Sequence, residues 1–226
     1  MIEIKNLYFT YNKVNSYTLD NINLNVEKGC YLSIIGENGS GKSTLMKLIL
    51  NLLKPSSGSI DIATNKIGYV PQIMDSFNSA FPLTVEEMLK CHMKALKIKD
   101  KECIIRSLAT VKMDSFRNQL IGSLSGGQRQ KIFIARAIMG TPELIVLDEP
   151  SSGIDVKSQA EIYSVIKKLN TSKKITILSV EHNMKAAMEN STHIFNLDKG
   201  HGYLYSIGDY INSNTEVIHN ASITTS

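Results

Sequence analysis

Long hydrophobic runs, clustered cysteines and blocks of like charge are all missing from this chain, and each absence removes a class of function. No apolar run approaches the roughly 18 to 20 residues that a bilayer-spanning helix requires, and Met1-Ile2-Glu3-Ile4-Lys5 does not open a signal-peptide core. The expected compartment is therefore the cytoplasm. Cys30, Cys91 and Cys103 show no C-x-x-C spacing, which fits a reducing environment. Cys91 and His92 are adjacent, so on a helix they point to different sides and make a poor metal pair. The 25 basic and 21 acidic residues, net +4, form no run of one sign, which argues against nucleic acid as a partner. There is no internal repeat, and low-complexity composition is confined to a Ser, Thr and Asn-rich tail from Asn212, expected to fray.

What is present is an ordinary globular composition over 226 residues, enough for one substantial core and short for two. Ile2, Ile4 and Leu7 begin a strand, and Leu24, Val26 and then Tyr31 to Ile35 continue as strands. Helical spacing runs over Thr44 to Leu53, and a helical insertion is expected over about residues 75–138, helical from Thr84 to Met113 and again from Gly127 to Met139. Ser59 to Ile62, Ile67 to Val70, Leu144 to Leu147, Ile175 to Val180 and Ile194 to Leu197 read as strands, with helices at Val156 to Leu169 and Met184 to Met188. This alternation predicts an α/β domain with a parallel sheet and helices on both faces.

Between the strand ending at Ile35 and the helix after it stands Gly36-Glu37-Asn38-Gly39-Ser40-Gly41-Lys42-Ser43, a complete G-x-x-x-x-G-K-[ST] loop. Its glycines let backbone N–H groups turn inward on phosphates, Lys42 adds charge to the β and γ phosphates, and Ser43 offers a hydroxyl to Mg2+. Asp148 follows an apolar strand and so lies at the carboxyl end of the sheet, where it can hold the metal. Glu149, one residue on, points differently. It suits a general base, with a loop acid capping the next helix as the alternative. Leu124-Ser125-Gly126-Gly127-Gln128 is on its own a common loop and helix-cap composition. Gln72 reads as a turn residue or a sensor, His182 as a loop histidine or a phosphate ligand, and Tyr11 as packing or an aromatic platform.

Taken together, with Arg129, Gln130, Ala135, Arg136 and Ala137 following the Ser-Gly-Gly-Gln segment and Leu147-Asp148-Glu149-Pro150 beyond it, these motifs resemble the nucleotide-binding subunits of ABC transporters. The resemblance covers roughly Ile2 to Gly208. It implies the P-loop NTPase ABC fold as one domain over 1–226: a RecA-like, mostly parallel core, an N-terminal antiparallel β subdomain and an inserted α-helical subdomain. It implies ATP and Mg2+, with Gly36 to Ser43 and Thr44 on the nucleotide, Tyr11 against adenine, and Ser43, Gln72 and Asp148 toward the metal. Glu149 becomes the general base, His182 the switch histidine and Asp155 the residue of the loop crossing a dimer interface. Ser125, Gly126, Gly127 and Gln128 would meet ATP held by a second copy, head to tail.

The partners implied are an integral membrane permease, docked by the loop from Gln72 to Pro82, and indirectly an external substrate-binding protein. Phe81-Pro82-Leu83-Thr84-Val85 resembles the same segment of zinc and manganese uptake ATPases, and a peripheral position at the cytoplasmic face of the membrane is expected. Two departures stand out. Relatives commonly read Ser-His-Asp where this chain has Glu181-His182-Asn183, and Ala-Leu or Gly-Leu where it has Gly153-Ile154.

Overall fold

The computed structural model describes residues 1–11, 17–72 and 82–213. In chain order the elements are β1 (Ile2–Phe9), β2 (Leu19–Val26), β3 (Tyr31–Ile35), α1 (Lys42–Ile49), β4 (Ser57–Ile62), β5 (Ile67–Val70), α2 (Val85–Ala95), α3 (Cys103–Thr110), α4 (Gly126–Ile138), β6 (Leu144–Asp148), α5 (Val156–Lys173), β7 (Thr176–Val180), α6 (Met184–Asn190), β8 (His193–Asp198) and β9 (His201–Ser206). They form two compact units, one of Met1–Ala63 with Val180–Ser226, the other of Thr64–Ser179.

In the first unit β2, β1 and β4 make an antiparallel sheet, as expected for the N-terminal part. Alternation sets its register: Ile2 and Ile4 face Val26 and Leu24 on one side and Ile62 and Ile60 on the other, all apolar pairs on one face. Asn6, at φ 46, interrupts both ladders, and its N–H is held by Asn23 Oδ1 at 2.9 Å. The same unit pairs β3 with β8 in parallel. All five residues of β3 are buried, which is why it reads as an unbroken apolar run.

Three of the shifts from the expected boundaries have a plain backbone cause. The helix expected over Thr44 to Leu53 ends at Ile49, because Asn51 turns left-handed at φ 56 and the Leu52 N–H bonds back to the Lys47 carbonyl at 2.8 Å. That is a Schellman closure with Asn in glycine's usual place, and it leaves Leu52 exposed. The continuous pattern from Thr84 to Met113 divides into α2 and α3, since Lys97 at φ 55 closes α2 in the same way. The third is β9, unassigned from sequence: Lys199 and Gly200, at φ 46 and 84, form a two-residue hairpin that returns the chain antiparallel to β8. The signal was the Lys-Gly pair.

In the second unit β5 and β6 are parallel, and α4 packs against α3, α5 and β5. Thr84 and Glu87 form a capping box on α2, while Glu86 bonds Arg117 and Lys90 at 2.7 Å each, holding its carboxyl at about 2. Among the described residues no helix is long and apolar enough to cross a membrane. The expected docking loop falls largely at 73–81 and the expected frayed tail at 214–226, both outside the described residues. Residues 212 and 213 still belong to a helical stretch.

Candidate nucleotide site

The first unit carries the phosphate loop. Gly36, Gly39 and Gly41 stand at φ 147, 83 and 104, conformations that side chains rarely adopt. Space is as restrictive as angle at two of them. A Cβ on Gly36 would lie 2.1 Å from the Leu197 carbonyl oxygen, and one on Gly41 would lie 2.7 Å from Leu19 Cδ2. Glu37, Asn38 and Gly39 form the exposed tip. Gly41 caps α1 with no side-chain hydrogen bond and the first turn holds no acid, so no nearby carboxylate of that turn competes for the positive helix end.

Lys42 is buried and folds back over the loop, its Nζ donating to the carbonyls of Gly36 and Glu37, each at 2.8 Å. Ser40 Oγ is buried and, among the described residues, has no hydrogen-bond partner. A glycine cradle with a buried ammonium and an unsatisfied hydroxyl fits a polyphosphate. Ser43 is exposed on the loop side of α1 and Thr44 is buried. Tyr11 is 59% exposed, meets the Phe9 ring edge-to-face at 4.8 Å, and its hydroxyl lies 3.2 Å from Thr44 Oγ1. This separates it from Phe9, which is core, and from Tyr8, whose ring meets Tyr17.

His182 is exposed just beyond β7, next to a buried Glu181 whose N–H donates to the Ile34 carbonyl at 3.0 Å. The Asn183 side chain caps α6, accepting from the Ala186 N–H at 3.1 Å. An aspartate there would make the same bond, so the Asn183 half of this departure keeps the cap.

The second unit carries the carboxylates. Asp148 ends β6; burial and then the Asp148 charge push the pKa of the Tyr69 phenol up. Glu149 follows at φ 47, a left-handed position costing about 1 kcal/mol for a residue with a Cβ. Gln72 Nε2 donates to Glu149 Oε2 at 2.7 Å, which leaves the amide oxygen as the atom able to ligate a cation. Gln72 and Asp148 offer hard oxygen atoms of the kind Mg2+ takes, and in the first unit the Ser43 hydroxyl is another atom of that kind. Tyr69 was missed from sequence, although it stands two residues before Pro71-Gln72 on a strand.

The two readings of Ser-Gly-Gly-Gln turn out to be compatible. Ser125 Oγ accepts from the Gln128 N–H at 3.3 Å and Gln128 Oε1 accepts from the Ser125 N–H at 3.0 Å, a complete capping box on α4. Glu149 is not the cap of the next helix. That role belongs to Asp155, whose Oδ1 accepts from the Ser158 N–H at 3.0 Å, the contact that holds its carboxyl low. Gln159 braces the same loop through the carbonyls of Ser151 and Ile154.

Gly127 lies where α4 meets α5: a Cβ there would stand 2.5 Å from Ser158 Cβ. Gly127→Ala is therefore expected to destabilise the chain by about 1–3 kcal/mol through overpacking. Ser158→Gly in the same chain should recover much of that loss, read as a double-mutant cycle in urea denaturation. Equal midpoints for the parent and Gly127→Ala would refute the clash.

Comparison with known proteins agrees with the geometry. The family model described as "ABC transporter" matches residues 19–152. A "Probable metal transport system ATP-binding protein" of Treponema pallidum is 46% identical over 208 residues, covering 92% of this chain and 87% of its own. The "Zinc uptake system ATP-binding protein ZurA" of Listeria innocua is 40% identical, covering 88% and 83%. Among solved structures, the dimeric bacterial ABC transporter cassette MJ0796 superposes with a TM-score of 0.77 at 30% identity, over 92% of this chain and 99% of that one. The cradle at Gly36 to Ser43, the carboxylate pair at the end of β6, the Ser125 to Gln128 cap and these likenesses place the chain in the ABC transporter family of ATP-binding subunits.

Proposed function

We propose that this chain hydrolyses ATP as the motor subunit of a transporter that takes up a divalent metal ion, zinc or manganese, through a separate membrane permease. The observation that carries the metal reading is the pair of relatives named for metal transport and zinc uptake, aligned over nine-tenths of the chain at 46% and 40% identity. The chemistry follows from the residues. Lys42 exchanges its two loop carbonyls for the β and γ phosphates, and the N–H groups at the start of α1 complete the anion's shell. Tyr11 offers its exposed face to adenine. Ser43, Gln72 and Asp148 hold Mg2+, which when bound supplies charge neutralisation at the phosphates.

Glu149 takes the proton of the attacking water, with Gln72 holding one carboxylate oxygen so that the other faces the reaction. His182 bonds the γ-phosphate. Two copies associate head to tail, so that Ser125 to Gln128 of one meets the nucleotide of the other, with Asp155 at the interface. Closure is then a population shift driven by ATP, which touches both halves only in the closed form. The permease is engaged through the segment after Gln72, and an external binding protein delivers the metal. The subunit works peripherally at the cytoplasmic face.

Purifying the tagged full chain from membranes in mild detergent tests this, with mass spectrometry of what accompanies it. A multi-helix permease in stoichiometric amount supports the reading. Recovery solely without a membrane protein would sink it in favour of a non-transport ABC ATPase.

A further inference from the structure

Taking Glu149 as the general base, the reading on which this rests, we propose that Gln159 and Tyr163 of α5 are positioning residues for that base. Residues 149–155 join β6 to α5, and within them Glu149 stands at φ 47 and Gly153 at φ 69. A residue with a side chain stays in the left-handed region where its surroundings over-determine it. Here α5 supplies those surroundings. Gln159 Nε2 donates to the Ser151 carbonyl at 3.1 Å and to the Ile154 carbonyl at 2.8 Å, so both hydrogens of one amide are spent on the two ends of the turn. Four residues on, along the same face of α5, the Tyr163 hydroxyl lies 2.8 Å from Ser151 Oγ, and both residues are buried. Ser151 is thereby held by main chain and side chain alike.

Two short backbone bonds carry that hold back to the base. The Ser152 N–H donates to the Glu149 carbonyl at 3.1 Å, and the Ile154 N–H to the Ser151 carbonyl at 3.4 Å. At the carboxylate itself, Gln72 Nε2 donates to Oε2 at 2.7 Å. A base held at one carboxylate oxygen and at its own backbone presents the other oxygen in one direction.

Stability is the competing use of these bonds. Packing does not fix the apex of the loop, since Ser152 and Gly153 are exposed and a Cβ added to Gly153 would meet nothing within 4 Å. Exchanging a buried hydrogen-bonded pair for apolar groups of similar shape is nearly neutral. A phenylalanine beside an alanine would therefore keep the chain folded in place of Tyr163 and Ser151. What the polar brace adds is direction, with distances fixed at named atoms.

Single-turnover ATP hydrolysis by the full chain with Mg2+, compared for Gln159→Ala in the parent and in Glu149→Gln, tests the assignment. In the parent, Gln159→Ala should slow the chemical step by about ten- to hundredfold, the scale of a misplacement near 1 Å, with ATP affinity by equilibrium dialysis unchanged. In Glu149→Gln, which has no base to misplace, the same change should leave the residual turnover unaltered. Ser151→Ala combined with Tyr163→Phe removes both partners of the buried pair at once, and should slow the parent in the same way while keeping its urea midpoint. It stands in for Gln159→Ala should that variant not fold. Parental turnover in Gln159→Ala, or in the double variant standing in for it, overturns the proposal. So does an equal fractional loss in Glu149→Gln, which would make the brace a support for the fold alone. Parental turnover in Glu149→Gln by itself is a separate result: it removes the base, and the positioning role with it.

Discussion

Glu149→Gln is expected to lower ATP turnover by about 10²-fold or more, the scale of a general base, while leaving ATP binding and the ATP-driven dimer in place. The substitution is conservative in every respect except charge. The new amide oxygen can still accept from Gln72 Nε2, replacing the 2.7 Å bond to the carboxylate, and the backbone keeps the same left-handed conformation at φ 47. Folding should therefore be nearly unaffected, so a loss of turnover would report chemistry. With water activation slowed, the closed dimer accumulates. Gel filtration with Mg-ATP should show a stable dimer for the variant and a transient one for the parent. Turnover at parental rates would remove Glu149 from the role of base.

Lys42→Ala acts one step earlier, on binding. The ammonium is buried against two carbonyls of its own loop at 2.8 Å, so it is already positioned where phosphates arrive. Charge-assisted hydrogen bonds are worth about 1.5–3 kcal/mol each. Loss of contact with two phosphates predicts an ATP affinity weaker by about 10²-fold, measurable by equilibrium dialysis. The Gly36 and Glu37 carbonyls also lose their donor, which makes the loop itself less ordered. Lys42→Arg should not restore binding, because the longer planar head does not fit between those carbonyls. Parental ATP affinity in Lys42→Ala would show that the glycine cradle alone holds the nucleotide.

Much of this was legible before any coordinates. Buried strands such as β3 and β6 announce themselves as short apolar runs, and the phosphate loop by spacing. The remainder depends on geometry that sequence periodicity does not carry. Asn51 ends α1 early through a backbone angle, and β9 rests on a two-residue turn. Gln72 and Glu149 meet across 77 positions of chain. The influence of Asp148 on the Tyr69 phenol depends on which face of β5 the ring occupies. The contacts of Cys30 with Thr192 and His193 span more than 160 residues. Side-chain identity named the chemistry, and tertiary register decided which groups share it.

The capping box at Ser125 and Gln128 has one more effect, on polarity. Each of these side chains spends an acceptor inside the box, Ser125 Oγ on the Gln128 N–H and Gln128 Oε1 on the Ser125 N–H. What remains to point outward is the hydroxyl hydrogen of one and the amide hydrogens of the other, on top of the bare N–H groups that begin α4. Folding the helix thus sorts the motif's atoms by sign. Both side chains are already held by the box, so in the head-to-tail pairing proposed above a phosphate reaching them would find donors available at little cost in rotational freedom.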